Sequence, residues 1–226
     1  MTPPLPSPPN RLSQSLRGFG PIGILAILVI LAGNLLFVPL SALLVLLWAW
    51  RSGTPWSELG FVRPVSWART VAVGLALGIV LKLVMKAIVM PLFGAPAINP
   101  AYHYLVGNTA ALPGILFLVI AGAGFGEETL FRGYLFERLG KLFRPGVWSK
   151  VMIVVLTAAF FGLVHYPDQG LAGAQQATIV GLVFGSIFAI TGRIWMLMVA
   201  HAAFDLTAVA IIYWDLETAV AQWFFG

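Results

Sequence analysis

Long apolar runs, separated by short clusters of turn and charged residues, dominate the chain. They lie at about 22–50, 67–93, 112–139, 147–165, 174–190 and 194–214. Each approaches or exceeds the ~20 residues that carry a helix, at ~1.5 Å per residue, across a ~30 Å hydrocarbon core. The apolar positions are continuous. A transmembrane barrel would instead show ~10-residue alternating segments. The predicted fold is therefore all-α: a polytopic helical transmembrane bundle of six spans, in one domain over 21–226 without internal repeats. The first run is too long for one straight crossing and is interrupted by Asn34 and Pro39. It is expected to be tilted, kinked at Pro39 or partly re-entrant, and an extra short pass within it would make seven spans. Residues 1–20 read as a disordered, proline-rich tail, because the apolar run behind them is too long for a signal h-region.

Composition agrees with a membrane setting. The chain is 60% hydrophobic and 9% charged, against ~45–50% and ~25% in soluble domains. The net charge of +5 sits in short loops, so it reports topology and not nucleic-acid binding. Segments 51–69 and 137–150 are net positive and Arg193 lies in the last turn, whereas 94–111 and 166–173 hold no Lys or Arg. The positive-inside rule puts the basic loops in the cytoplasm and both termini outside. Arg11 and Arg17 pull the N-terminus the other way. The absence of cysteine removes disulfides, thiolate metal sites and cysteine nucleophiles.

Against this background three motifs place ionisable groups inside apolar helices: Glu127-Glu128-Thr129-Leu130-Phe131-Arg132, Phe161-Gly162-Leu163-Val164-His165 and His201-Ala202-Ala203-Phe204-Asp205. A charged side chain at bilayer depth costs roughly 2.5–3.5 kcal/mol on insertion scales. Facing one another around a wet cavity would offset that cost and allow chemistry. Arg132 follows Glu128 in the favourable acid-before-base i,i+4 order, so these two form the expected structural ion pair. Neighbouring helical residues point ~100° apart, which leaves Glu127 to face the cavity, where a tuned carboxylate can take a proton from water. The plainer reading is that both glutamates only tie helices together.

His165 ends an apolar helix ahead of Tyr166-Pro167, with Phe161 one turn earlier on its face. Alone, it would more often be an interfacial or capping residue. His201 and Asp205 project from one face, one turn apart. Asp205 can orient the His201 tautomer, both can ligate a metal, or His201 can donate to an oxyanion. A self-satisfied polar pair is as good a reading for them in isolation. No His-Glu-x-x-His is present, yet Glu127, His165, His201 and Asp205 are together N/O donors of the kind zinc accepts. If all four held a metal, another group would have to activate water. Zinc therefore stays an open option and no cofactor is required. Lys82 and Lys86 share a face of the second span, where snorkelling or pairing with an acid is the ordinary role and substrate contact the rarer one. His103 and Asp168 read as loop residues.

In this order and on successive hydrophobic helices, the three motifs resemble those of the CAAX protease and bacteriocin-processing family, the Abi or type II CAAX prenyl endopeptidase group of intramembrane proteases. Residues 126–135 are similar to its first motif, and Leu59-Gly60-Phe61-Val62-Arg63-Pro64 resembles a loop before its core. The similarity extends over about 57–210. It implies hydrolysis of a peptide bond in a membrane-associated peptide or protein, such as a prenylated C-terminus or a bacteriocin-like leader. The implied setting is a prokaryotic plasma membrane, with a cavity open to the cytoplasmic side. By the motifs, Glu127 would activate water with help from His165, while His201 and Asp205 would stabilise the oxyanion. Eukaryotic members carry Asn where this chain has Asp205, and an ionised Asp cannot donate a hydrogen bond. Two other readings use the same residues: a proton- or ion-coupled transporter, and a non-catalytic member that binds a peptide or serves in immunity.

Overall fold

A computed structural model describes residues 11–225. The proline-rich stretch at 1–10 lies outside the described residues. The rest of the expected tail includes a helix, α1 (Arg11–Arg17). The described residues are helical with no strand. After α1 come α2 (Pro21–Leu36), α3 (Val38–Ser52), α4 (Trp67–Leu92), α5 (Thr109–Gly140), α6 (Val147–Thr191), α7 (Trp195–Tyr213) and α8 (Glu217–Ala221).

Among the described residues, α4, α5, α6 and α7 are long and apolar enough to cross a membrane, and the bent pair of α1 and α2 makes a fifth candidate. The expected six or seven spans exceed that count, and two features explain why. The first apolar run does not kink at Pro39 but breaks at Phe37, whose backbone is extended. Pro39 then falls in the first turn of α3, where its missing N–H costs nothing. The resulting helices, of 16 and 15 residues, are each below the ~20 of a full span. They pack on each other near Gly33 and Ser41.

The second feature is α6, which contains both the expected fourth and fifth spans. It does not stop at Tyr166-Pro167. It runs through Pro167 and reverses at Gly170 (φ 63°, ψ −164°), a backbone region open essentially to glycine alone. The arms 147–169 and 171–191 lie antiparallel: Gly162 meets Ala174 and Thr178, Gly181 meets Ala158, and Lys150 Nζ donates to the Ala189 carbonyl at 3.0 Å.

Two ends of the bundle can now be distinguished. One gathers the basic loops. There Gly60 O accepts from Ile194 N at 3.0 Å, and Arg17 meets Glu58 at 3.3 Å. Arg138 also donates to the Arg17 carbonyl at 2.7 Å at this end. The N-terminal helix therefore sits with the basic loops, which settles the conflict raised by Arg11 and Arg17. The other end holds loop 94–108 and the Gly170 turn, and there Gly107 N donates to Tyr213 O at 3.0 Å.

The tightest helix pair is α4 on α7. The small-xxx-small pair Gly74 and Gly78 permits it: a Cβ on Gly78 would lie 2.1 Å from the Ala200 carbonyl oxygen, and one on Gly74 would lie 2.8 Å from that of Met196. Lys82 is the next residue along this stripe.

Candidate active site

α5 departs from ordinary helix where the first motif lies. Leu118–Tyr134 is wound as a π-helix, with i→i+5 bonding that is rare and concentrated at functional sites. Arg132 Nη1 donates to Glu128 Oε1 at 2.8 Å, and both side chains are buried. The same oxygen accepts from His201 Nδ1 at 2.7 Å. Glu127 reaches the other side of that imidazole, its Oε2 being 3.6 Å from Nε2. Adjacent glutamates thus face one partner after all. The wider winding turns less per residue, and an imidazole presents a nitrogen on each side.

His201 is fixed by this arrangement. With its Nδ1–H given to Glu128, which Arg132 holds, its Nε2 points between Glu127 and Asp205, whose Oδ2 is 3.7 Å away. Tautomer control belongs to Glu128, where the sequence offered Asp205 for that part. His165 is fixed differently. Its Nδ1 lies 2.7 Å from the Phe161 carbonyl oxygen. A carbonyl only accepts, so Nδ1 carries the proton and Nε2 keeps its lone pair in the neutral ring.

Phe161 is the hub between the motifs. Its ring meets His165 edge-on at 4.5 Å between centroids and His201 at 5.9 Å. The Arg132 guanidinium lies over it at 4.8 Å and over Phe184 at 5.6 Å. A cation over an aromatic face is attracted by the ring quadrupole, more strongly where water is absent.

Glu127, His165, His201 and Asp205 all line one cavity of about 560 Å³, while Glu128 and Arg132 stand behind it. Glu127 Oε2 is buried with no hydrogen-bond partner in the protein. Three further lining residues were not among the predicted site residues: Tyr102, Gln176 and Lys82, whose expected role was snorkelling or ion pairing. The Tyr102 hydroxyl accepts from Gln169 Nε2 at 3.2 Å. Burial, reinforced by Asp205, Glu127 and Asp168, pushes its phenol up to about 12, so it remains a neutral donor. Asp168 also lines the cavity. His103 does not; it lies 3.4 Å from the buried Glu217. None of these roles carries a local motif, because each depends on the reversal at Gly170 or on the path of loop 94–108.

The site has the donor types zinc accepts, but the geometry does not fit a metal centre. Among the described residues no group of three His, Asp or Glu side chains is disposed to hold an ion.

Residues 109–207 match the family model of type II CAAX prenyl endopeptidase Rce1-like proteins. The chain carries an Rce1-like domain. This domain contains all three motifs and leaves α1–α4 outside the match. At family level this match supports a CAAX-type intramembrane endopeptidase and implies a peptide or protein substrate in the membrane. With its apolar helices it marks an integral membrane protein. No curated protein and no solved structure matches the chain significantly.

Proposed function

We propose that this Rce1-like protein hydrolyses a peptide bond by a glutamate-activated water, with Glu127 as the base. The observation that carries this reading is the Oε2 of Glu127, buried without a hydrogen-bond partner among the described residues and 3.6 Å from His201 Nε2, on the cavity that His165 and His201 also line. A carboxylate oxygen so placed accepts a proton from water, and the free Nε2 of His165 orients the same water. The oxygen of that water bonds to the scissile carbonyl carbon, and the carbonyl becomes an oxyanion. His201 donates to the oxyanion through Nε2 when that nitrogen carries a proton. The C–N bond then breaks. The leaving nitrogen takes the proton held by Glu127, and a new carboxyl and a new amine leave.

Asp205 assists in this scheme without donating. It holds the Nε2 side of His201 toward the cavity, with its Oδ2 3.7 Å from that nitrogen. No step runs through a metal. The fixed surroundings of His201 supply the preorganised electrostatics on which such catalysis chiefly depends. The test is cleavage of a membrane-borne peptide library in proteoliposomes. Glu127→Gln and His165→Ala proteins are expected to be folded and inactive. Full cleavage by both would end the assignment, and ion flux without proteolysis would favour the transporter.

The side from which substrate arrives follows from the lining. Asn99, Tyr102, Asp168 and Gln169 all line the cavity and belong to the end opposite the basic loops. With the basic loops in the cytoplasm, the mouth faces the other side of the membrane. This reading differs from the cytoplasmic opening implied by resemblance, and labelling from the two sides of the membrane separates them.

A further inference from the structure

Lys82 is a buried cation that the scheme above does not use. It lies outside the matched domain, and the Gly74–Gly78 stripe brings it against α7. Its ammonium sits 4.8 Å from the centre of the Phe204 ring and donates to Gln176 Oε1 at 3.2 Å. Both partners are neutral. Neighbouring Lys86 is different: it donates to the Ala97 carbonyl and meets Glu217 at 3.3 Å. Glu217 is already engaged by Lys86, His103 and the Asn99 amide. Among the described residues no carboxylate lies within ion-pair distance of Lys82, although the residue is only 7% exposed. Asp205, next to Phe204 in sequence, forms no ion pair with it. Buried charges in proteins are ordinarily paired, and this one lacks a paired anion.

Its position gives that charge a use. Among the described residues Lys82 is the only Lys or Arg lining the 560 Å³ cavity, and it also lines a second cavity of about 330 Å³. The two share Lys82, Asn99, Gln169 and Gln176 along their boundary. The second is walled by Met90, Pro96, Ile98 and Leu171 and by the mutually paired Lys86 and Glu217, and its size falls within the ~300–1,000 Å³ usual for ligand sites. A substrate lying over Glu127 and continuing into the second chamber passes the ammonium.

We propose that Lys82 is a specificity-determining residue that binds a carboxylate of the substrate at the boundary of the two cavities, with Gln176 positioning its ammonium. An apolar peptide segment then occupies the second cavity. The inference rests on the endopeptidase reading for its substrate class, but the anion site itself does not depend on turnover. Loss of Lys82 acts on discrimination and leaves the Glu127–His201 geometry in place.

The test measures retention of short peptides by the full-length protein in nanodiscs, in a Glu127→Gln background so that nothing is consumed. The probes are a pool of N-acetylated apolar tripeptides with free C-terminal carboxylates, the same pool amidated, and an amidated pool with one internal Asp. Charge-assisted hydrogen bonds support at least about tenfold enrichment of the carboxylate pool over the amide pool. Lys82→Met is expected to bring that ratio close to one, and Lys82→Arg to keep most of it. Lys82→Gln serves if the Met variant is not recovered from membranes. Enrichment of the Asp pool assigns the anion to a side chain, and enrichment of the acid pool alone assigns it to the chain terminus. Equal retention of acids and amides, retention of neither, or a ratio unmoved in Lys82→Met overturns the proposal. Acid preference without proteolysis by the unmodified protein would defeat the endopeptidase reading and leave the anion site standing. Proteolysis without acid preference would do the reverse.

Discussion

Glu127 and Glu128 are adjacent carboxylates with opposite expected signatures, and exchanging each for glutamine separates chemistry from scaffold. Glu128 is fully buried and holds both Arg132 at 2.8 Å and His201 Nδ1 at 2.7 Å through one oxygen. Removing one partner of such a buried pair costs about 3–5 kcal/mol. The glutamine amide oxygen still accepts one bond, so Glu128→Gln belongs at the lower part of that range. For a chain of this size each kcal/mol moves the midpoint by ~2–4 °C, which makes a fall on the order of 10 °C. Glu127 loses little by comparison. Its Oε2 accepts no protein hydrogen bond, and its nearest basic atom is 3.6 Å away. Glu127→Gln should move stability by under ~1 kcal/mol while lowering kcat by about 10²–10⁴-fold, the contribution of a positioned base. Thermal unfolding in nanodiscs, followed by tryptophan fluorescence, and peptide hydrolysis on the same samples measure both quantities. Equal destabilisation by the two variants, or a Glu127→Gln enzyme within about tenfold of the parent, would refute this division of labour.

Gly78→Leu should drive α4 from α7, because even a Cβ there meets the Ala200 carbonyl at 2.1 Å. Overpacking of this kind costs about 1–3 kcal/mol or more, and a protein as thermostable as the parent would contradict the packing. Hydrolysis should persist in EDTA and in 1,10-phenanthroline; loss restored by zinc would show that the side chains rearrange around a metal. The chain has no cysteine, so single replacements report sidedness cleanly. Asp168→Cys should react with an impermeant maleimide from outside intact cells, and Arg144→Cys only after permeabilisation. The reverse pattern would place the cavity mouth in the cytoplasm.

Some of this was readable along the chain because its causes are local. Apolar run length gave helices and a membrane, and i,i+4 spacing gave the Glu128–Arg132 and His201–Asp205 pairs. The Phe161–His165 contact follows from one helical turn. Non-local causes were hidden. An α-helical angle of ~100° per residue separates Glu127 from Glu128, and only the π-winding of Leu118–Tyr134 lets both reach His201. Hydropathy counts apolar residues but not direction, so the reversal at Gly170 looked like a gap between two spans. The role of Lys82 was hidden for the same reason. Spacing placed it on a face with Lys86, where snorkelling is the ordinary expectation, and nothing nearby in sequence signals that it turns inward. What turns it inward is the close approach at Gly74 and Gly78, since a stripe of two glycines followed one turn later by lysine delivers that lysine to whatever the glycines pack against. Here the packed helix is α7, which carries His201, Phe204 and Asp205. The contact that lowers the separation of the helices therefore also brings a cation beside the candidate reacting groups.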